Sequence, residues 1–211
     1  SMIHLFLAHF VADHGFTDNT KIRSYKGSKL IGHIIWSVLV FLAFTFDTLL
    51  NSTKGLTVLL IMIAVHILGD ELRVRLNDAG SIDKIHILEL VLATVALVLN
   101  LFVANLLAYS FISKEFALYL LGMAVVTMAV TYIFRNFYPG DSEYNDLDGI
   151  SERLAFFVFF LANNYLFAFL SLALGYLYRL WKVKKFSHTW WISPLAGVVI
   201  TVIWRFIIFS R

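Results

Sequence analysis

The feature that most constrains this chain is a series of long apolar stretches that contain almost no charge. A transmembrane helix needs about 20 consecutive apolar residues, and stretches near that length recur along the 211 residues. Backbone amides inside a bilayer must find partners within their own segment, so such stretches predict helices. We therefore predict an all-α integral membrane bundle with about six to eight transmembrane or re-entrant helices. The predicted segments are 3–16, 30–50, 56–72, 82–111, 115–134, 150–181 and 192–209.

The composition excludes the other main classes of protein. Hydrophobic residues make up 60% of the chain and charged residues only 15%, whereas soluble domains average about 25% charged residues. Disordered chains are poor in apolar residues, so disorder is excluded as well. A net charge of +3 is too small to indicate nucleic-acid binding. We predict one transmembrane domain over 2–211, with a four-helix part at 2–111 and C-terminal helices at 112–211.

Basic residues are concentrated in some of the predicted loops. The loop after the first segment holds Lys21, Arg23, Lys26 and Lys29. Short loops rich in Lys and Arg stay in the cytoplasm, so we predict that this side is cytoplasmic, in a bacterial inner membrane. The basic stretch 179–185 falls on the same side only if 150–181 is a hairpin that turns at Asn163 and Asn164. We favour that hairpin.

Two H-x3-D motifs lie near the ends of the first and third segments. They are His9 with Asp13 and His66 with Asp70. A spacing of four residues places both side chains on one face of a helix, as two ligands of one ion require. The chain has no cysteine, so any bound metal must be held by imidazole and carboxylate groups.

Three more ionisable residues extend this pattern. His33 lies one turn inside the second segment, and Asp83 and His86 share a face at the start of the fourth. If the first four segments alternate in direction, all of these residues reach the same membrane face. The predicted metal ligands are His9, Asp13, His33, His66, Asp70, Asp83 and His86. Nitrogen ligands without thiols favour zinc, with manganese or iron as alternatives.

Charged residues near the same face are candidates for catalysis. Arg73 and Lys84 are placed to bind a lipid phosphate, and Glu152 and Arg153 should reach that face from the sixth segment. A carboxylate that does not bind metal would act as general base, and the pattern leaves open which one. The predicted catalytic residues are Asp83, Arg73, Lys84, Glu152 and Arg153.

The same residues also fit less specific roles. A single H-x3-D pair in a membrane helix is at least as often a buried hydrogen-bonded pair, and Glu152 with Arg153 fits an interfacial ion pair. A transporter would use the same cluster to bind and release ions, and Asn100 is one of the few polar residues that would continue its path. A structural metal site in a non-catalytic scaffold is a further alternative.

Several short motifs resemble an uncharacterised bacterial family of multi-pass membrane proteins that contain a domain of unknown function. They are L-A-H-F-V-A-D at 7–13, V-H-I-L-G-D at 65–70, I-D-K-I-H at 82–86 and G-I-S-E-R at 149–153. The chain departs from the family pattern at His14, Thr17 and Lys84, where the family has Phe, Gln and Gln. Such motifs are similar in style to those of membrane-bound, metal-dependent hydrolases.

The resemblance and the residue pattern together give the leading prediction. The protein is expected to be a metal-dependent membrane hydrolase that acts on a lipid or lipid-linked substrate, such as a lipid phosphate, at the cytoplasmic face. Its expected partners are membrane lipids, and its oligomeric state is left open.

Overall fold

The computed structural model describes residues 1–210, which form helices and connecting loops with no strand among them. The all-α prediction is confirmed. Six helices in the described chain are long and apolar enough to cross a membrane. They are Ser28–Thr45, Thr53–Asp78, Ile82–Leu107, Lys114–Asn136, Tyr165–Val183 and Thr189–Phe209. The chain divides into two compact units, Ser1–Leu118 and a second that begins at Tyr119.

The first unit is built around a short central helix. Its helices are α1 (His4–Phe10), α2 (Asn19–Ile22), α3 (Ser28–Thr45), α4 (Thr53–Asp78) and α5 (Ile82–Leu107). Helix α1 packs against α3 and α5, and α4 packs against α5. Leu5, Leu7 and Ala8 are fully buried, so α1 lies in the interior of this unit.

The first predicted segment is too short to cross a bilayer. Helix α1 continues into a π-helical turn at Val11–Gly15, and the 12 residues of 4–15 extend about 18 Å, against a hydrocarbon core of about 30 Å. Its start is fixed by Asn100, whose Oδ1 accepts from the backbone N–H groups of Leu5 at 3.1 Å and Phe6 at 3.2 Å. Helix α1 therefore begins beside the last third of α5.

Helix α4 continues past the predicted end of its apolar stretch at residue 72. The Ser52 hydroxyl caps its start by accepting from the Gly55 N–H at 3.0 Å. Near its other end, Asp70 pairs with Arg73 and Glu71 with Arg75 at helical spacing. Such pairs stabilise a helix, so the charged residues that end the apolar stretch extend the helix to Asp78.

Three helix ends of the first unit meet at one place. Lys26 Nζ, just before α3, lies 3.0 Å from Asp78 Oδ1 at the end of α4. A short connection at 79–81 then leads into α5. The start of α3, the end of α4 and the start of α5 thus lie at one end of this unit, as the alternating directions predicted.

The second unit contains the remaining helices, and its boundary with the first lies within α6. Its elements are α6 (Lys114–Ala124), a π-helical turn (Val125–Ala129), α7 (Val130–Asn136), α8 (Leu147–Leu161), α9 (Tyr165–Tyr178) and α10 (Thr189–Phe209). Helix α8 packs against α9, α10 and the π-helical turn. Val126, Phe157 and Leu161 form a buried cluster at this contact.

The predicted hairpin in 150–181 is confirmed. Helices α8 and α9 are separated by three residues, 162–164. Asn163 has a φ of +61°, a left-handed conformation that Asn adopts more readily than most residues. Asn164 caps α9, because its side chain accepts from the Phe167 N–H. Both asparagines therefore have structural roles at the turn.

Candidate metal centre

Four side chains of the first unit converge on one buried point. Asp13, His33, His66 and Asp70 each offer a ligand atom, and these atoms all lie within 4.8 Å of one another. Asp13 comes from the π-helical turn after α1, His33 from α3, and His66 and Asp70 from α4. All four side chains are at most 3% exposed.

The local structure explains why these side chains meet. His66 and Asp70 lie one turn apart on α4, so they share a face. A π-helical turn adds one residue to a helical turn and rotates the residues that follow it. Asp13 lies inside such a turn and reaches the two histidines. His33 is the sixth residue of α3, about 8 Å from the start of the helix.

The distances between the four groups suit a tetrahedral ion. His33 Nε2 lies 3.3 Å from Asp13 Oδ1 and 3.4 Å from Asp70 Oδ1. His66 Nε2 lies 3.4 Å from Asp13 Oδ1 and 3.4 Å from Asp70 Oδ2. A tetrahedral zinc ion with bonds of about 2.0–2.1 Å separates its ligand atoms by about 3.3–3.4 Å. The four His–Asp distances match that spacing, with Asp70 facing His33 through Oδ1 and His66 through Oδ2, and the nitrogen and oxygen donors suit zinc in their chemistry.

Arg73 holds the carboxylates of this cluster in place. Its guanidinium donates to Asp70 Oδ1 at 2.6 Å, to Asp13 Oδ2 at 3.0 Å and to Glu89 Oε1 on α5. Arg73 is 1% exposed and Glu89 is 8% exposed. All of these donors point at carboxylates of the chain, so Arg73 fixes the orientation of the two candidate ligand carboxylates.

The charges of this buried group do not balance. Asp13, Asp70 and Glu89 are negative and Arg73 is positive, which leaves a formal charge of −2 when the imidazoles are neutral. Uncompensated charge in a low-dielectric interior is costly. A divalent cation, or protonation of two groups, would restore neutrality.

Several polar atoms around the cluster have no hydrogen-bond partner within residues 1–210. They are both ring nitrogens of His9, Nδ1 of His66, Oδ2 of Asp70 and Oε2 of Glu89. Buried polar atoms are nearly always paired, so these atoms are available to a ligand, and Glu89 Oε2 also lies 3.5 Å from His14 Nε2. The His9 ring meets the His66 ring edge to face, with centroids 5.8 Å apart.

Ser37 contacts both histidines of the cluster. Its hydroxyl donates to the His33 carbonyl at 2.8 Å, and its oxygen lies 2.9 Å from His66 Nε2. His66 Nε2 donates to Ser37 only when it carries a hydrogen, so a metal bound at Nε2 would replace this hydrogen bond. Neither Ser37 nor the π-helical turn at Asp13 belongs to a motif, and neither was predicted. The i,i+4 spacing of Ser37 and His33 on α3 was the available signal.

An open cavity reaches the cluster at His33. Its volume is about 330 Å³. The residues that line it are Phe16, Thr17, Asp18, Tyr25, His33 and Trp36. The walls are mainly aromatic, and His33 is the only ligand candidate among them. A molecule that enters this cavity meets the cluster at His33 first.

The remaining predicted ligands lie outside this four-residue group. His9 is adjacent through its contact with His66. Asp83 and Lys84 are exposed in the first turn of α5, and His86 is half-buried one turn later. An acidic residue in the first turn stabilises a helix through its dipole, which accounts for Asp83 without a metal.

Glu152 and Arg153 belong to a different polar network, in the second unit. Arg153 is fully buried and donates to Asp146 Oδ2 at 2.7 Å and to the carbonyls of Val126 and Thr127. Glu152 accepts two hydrogen bonds from Arg179, at 2.7 and 2.8 Å. The structure does not place either residue in the four-residue cluster.

The chain was compared with known proteins by sequence and by structure. No protein-family model matches it, and no curated protein and no solved structure matches it either. The multi-pass helical character agrees with the resemblance described above, whereas membership of that family stays a prediction.

Proposed function

We propose that the first unit is a divalent-metal site of a membrane hydrolase, with zinc as the preferred ion. The observation that carries the proposal is the buried tetrad of Asp13, His33, His66 and Asp70. Its ligand atoms lie within 4.8 Å of one another, and its His–Asp pairs are 3.3–3.4 Å apart, as around a tetrahedral zinc ion. The surrounding group has a formal charge that one divalent cation would neutralise.

In this proposal each residue of the cluster has a definite task. The two histidines and two aspartates hold the ion, and Arg73 keeps both carboxylates oriented. The bound ion would supply a Lewis acid that activates water, which would take a fifth position beside the four protein ligands. Glu89 holds Arg73 from α5. His9, buried and without a partner in the described chain, is available to accept a proton or a hydrogen bond from a molecule at the cluster.

The proposed substrate is a lipid or lipid-linked molecule that carries a phosphate. The cavity at His33 has aromatic walls at Phe16, Tyr25 and Trp36, which suit an apolar chain. Lys29 and Lys84 are exposed in the first turns of α3 and α5, at the end of the unit where the helices meet. Their charges would attract an anionic headgroup. Asp83 remains a candidate base at the same end.

The proposed location is the bacterial inner membrane, with this end of the first unit in the cytoplasm. Exposed basic residues support that orientation. Lys21, Lys26 and Arg75 are at least 60% exposed near the ends of these helices, and such residues remain on the cytoplasmic side.

The first test is metal content. Detergent-purified wild-type protein, loaded with zinc and desalted, should retain about one equivalent by elemental analysis. His66→Ala/Asp70→Ala should retain less than a tenth of that. His188→Ala is the matched control, because His188 is an exposed residue of the second unit. Equal retention by all three proteins would contradict the metal site.

The second test is hydrolysis. Zinc-loaded protein should release phosphate from a short-chain lipid phosphate in mixed micelles, and chelation should abolish the release. Lys84→Gln should weaken substrate binding without loss of metal. A metal-loaded, folded protein that releases neither phosphate nor a fatty acid from any tested lipid would contradict the hydrolase.

A structural metal site is a second candidate, and one observation favours it. All four candidate ligands come from the chain and are buried, as in closed structural sites. In that case chelation would lower the thermal midpoint of the wild type, and His9→Gln would affect nothing measurable. Loss of hydrolysis in His9→Gln at full metal content would instead favour the enzyme.

Transport has less support from the contacts. Asn100, one of the polar residues expected to continue a path, is used to hold α1: its Nδ2 donates to the Met2 carbonyl at 2.7 Å. Zinc uptake into proteoliposomes that depends on His66 and Asp70 would support transport as the function.

A further inference from the structure

The second unit contains a cavity of about 640 Å³ between α8 and α9. It lies at the end of the hairpin where α8 begins and where α9 continues into a π-helical turn at Arg179–Val183. Apolar and polar residues both line it. Among them are Leu147, Ala155, Leu174, Val183, Asp148 and Glu152.

The polar wall of this cavity carries one excess negative charge. Arg179 donates two hydrogen bonds to Glu152 and a third, at 3.1 Å, to Asp148 Oδ2. Two carboxylates thus share one guanidinium. The Asp148 side chain is 24% exposed and presents this excess charge to the cavity. A ligand that binds here should bring a cationic group to Asp148.

Positive charge lies immediately beside the cavity. Val183, one of the lining residues, is flanked in sequence by Lys182 and Lys184, and Lys185 follows; all three lysines are exposed. Trp181 is 66% exposed at the same end. Exposed Trp and Lys residues at a helix end mark the membrane–water interface, where lipid headgroups lie. A headgroup with both charges would match this surface.

The opposite wall is apolar and continues toward the lipid-facing side of α9. Leu174 is 64% exposed, and Leu170 and Leu177 on the same helix are also exposed. An acyl chain could follow this surface from the cavity into the bilayer. The occupant should therefore be an amphiphile, with its headgroup at Asp148 and its chain along α9.

We propose that this cavity binds one zwitterionic phospholipid with a primary ammonium headgroup, of the phosphatidylethanolamine class. The ammonium would donate to Asp148, and the phosphate would lie near Lys184 and Lys185. A choline headgroup has no N–H to donate to a carboxylate. A phosphatidylglycerol headgroup brings no cation to Asp148. This site is independent of the metal site proposed for the first unit.

The test measures lipid retention by native mass spectrometry of the full chain, delipidated in detergent and titrated with short-chain lipids. Phosphatidylethanolamine should bind one to one, at least tenfold more tightly than phosphatidylglycerol or phosphatidylcholine. Asp148→Asn should remove this preference. Asp141→Asn is the matched control, because it makes the same charge change at an exposed loop position and should leave the preference intact.

A second pair of variants tests the position of the bound lipid. Ala155→Phe fills the cavity from α8, and Ser171→Phe fills it from α9. Each should abolish one-to-one binding in protein with an unchanged helical circular-dichroism spectrum. Equal or tighter binding of phosphatidylglycerol would overturn the proposal. So would undiminished binding in the folded filled-cavity variant, or the same effect of Asp148→Asn and Asp141→Asn.

Discussion

Each unit of this protein buries a group of charged side chains, and the two groups differ in how well their charges and hydrogen bonds are matched. In the second unit, the two buried carboxylates, Asp146 and Glu152, are matched by two buried arginines, Arg153 and Arg179, and the excess charge lies on the partly exposed Asp148. In the first, three carboxylates share a single arginine, Arg73, and their other ionisable neighbours are histidines.

The hydrogen bonding differs in the same way. Arg153 donates through all of its nitrogens, to Asp146, Ser193 and two backbone carbonyls of the π-helical turn. Around Arg73, by contrast, His9, Asp70 and Glu89 keep polar atoms with no hydrogen-bond partner in residues 1–210. A balanced and fully bonded group stabilises a fold, whereas an unbalanced one is typical of a binding site.

The largest effect is expected where the balanced group is broken. Arg153→Met should lower the free energy of unfolding by about 3–5 kcal/mol, because it leaves Asp146 buried without a counter-charge. Added zinc should not restore the lost free energy of unfolding. Chemical denaturation of the purified protein measures it, with Arg75→Gln as control: that exposed pair contributes about 0.5 kcal/mol or less. A loss below 1 kcal/mol would show that the second unit tolerates the unpaired charge.

Removing the central arginine of the first unit should give a different result. Arg73→Met should destabilise chelated protein by a similar amount, but zinc should restore part of the stability because the ion supplies the missing positive charge. Zinc at 100 times its Kd adds about 2.7 kcal/mol. Thermal unfolding with zinc and with chelator measures this recovery. If zinc restores the stability of Arg153→Met equally well, the proposed difference between the two charged groups is wrong.

A smaller effect is expected at Asn100. Asn100→Leu removes the acceptor for the first N–H groups of α1, and a lost helix cap costs about 0.5–2 kcal/mol. Because α1 leads directly to Asp13, zinc affinity should fall as well. Asn105→Leu, at an exposed position on the same helix, is the control. An unchanged zinc affinity in Asn100→Leu would show that the helix cap does not influence the candidate metal site.

The smallest effect is expected at His9, and its sign is informative. In chelated protein His9→Leu should be neutral or stabilising by about 1 kcal/mol, since it replaces an unsatisfied buried polar group with an apolar one. His4→Leu is the comparison: His4 Nε2 is bonded to the Ile112 carbonyl at 2.7 Å, so its loss should destabilise. Thermal midpoints in chelator decide between these outcomes. A destabilised His9→Leu would mean that its ring is already satisfied.

Much of the fold could be predicted from the sequence because a long apolar stretch in a membrane protein must form a helix. The all-α class and the hairpin at Asn163 could both be predicted. The end of α4 could not, because hydropathy ends at residue 72 while ion pairs carry the helix to Asp78. A stretch with few charged residues identifies a membrane-spanning segment, but it does not locate the end of the helix.

The candidate site was predictable in its motifs and not in its details. The i,i+4 spacing predicts that His66 and Asp70 share a face, and the alternating directions bring His33 close to them. Sequence does not reveal the π-helical turn that turns Asp13 inward. Nor does it show that Arg73 points at carboxylates, since both facts depend on the packing of α1 between α3 and α5.

The bonds from Asn100 to the first residues of α1 imply an order of assembly. The segment 4–15 cannot cross a bilayer alone, and its partners on α5 are synthesised nearly a hundred residues later. During translation the segment must therefore wait until α3, α4 and α5 have inserted before it can enter between them. Asp13 arrives with it, so the candidate metal site is completed only after the membrane helices are in place.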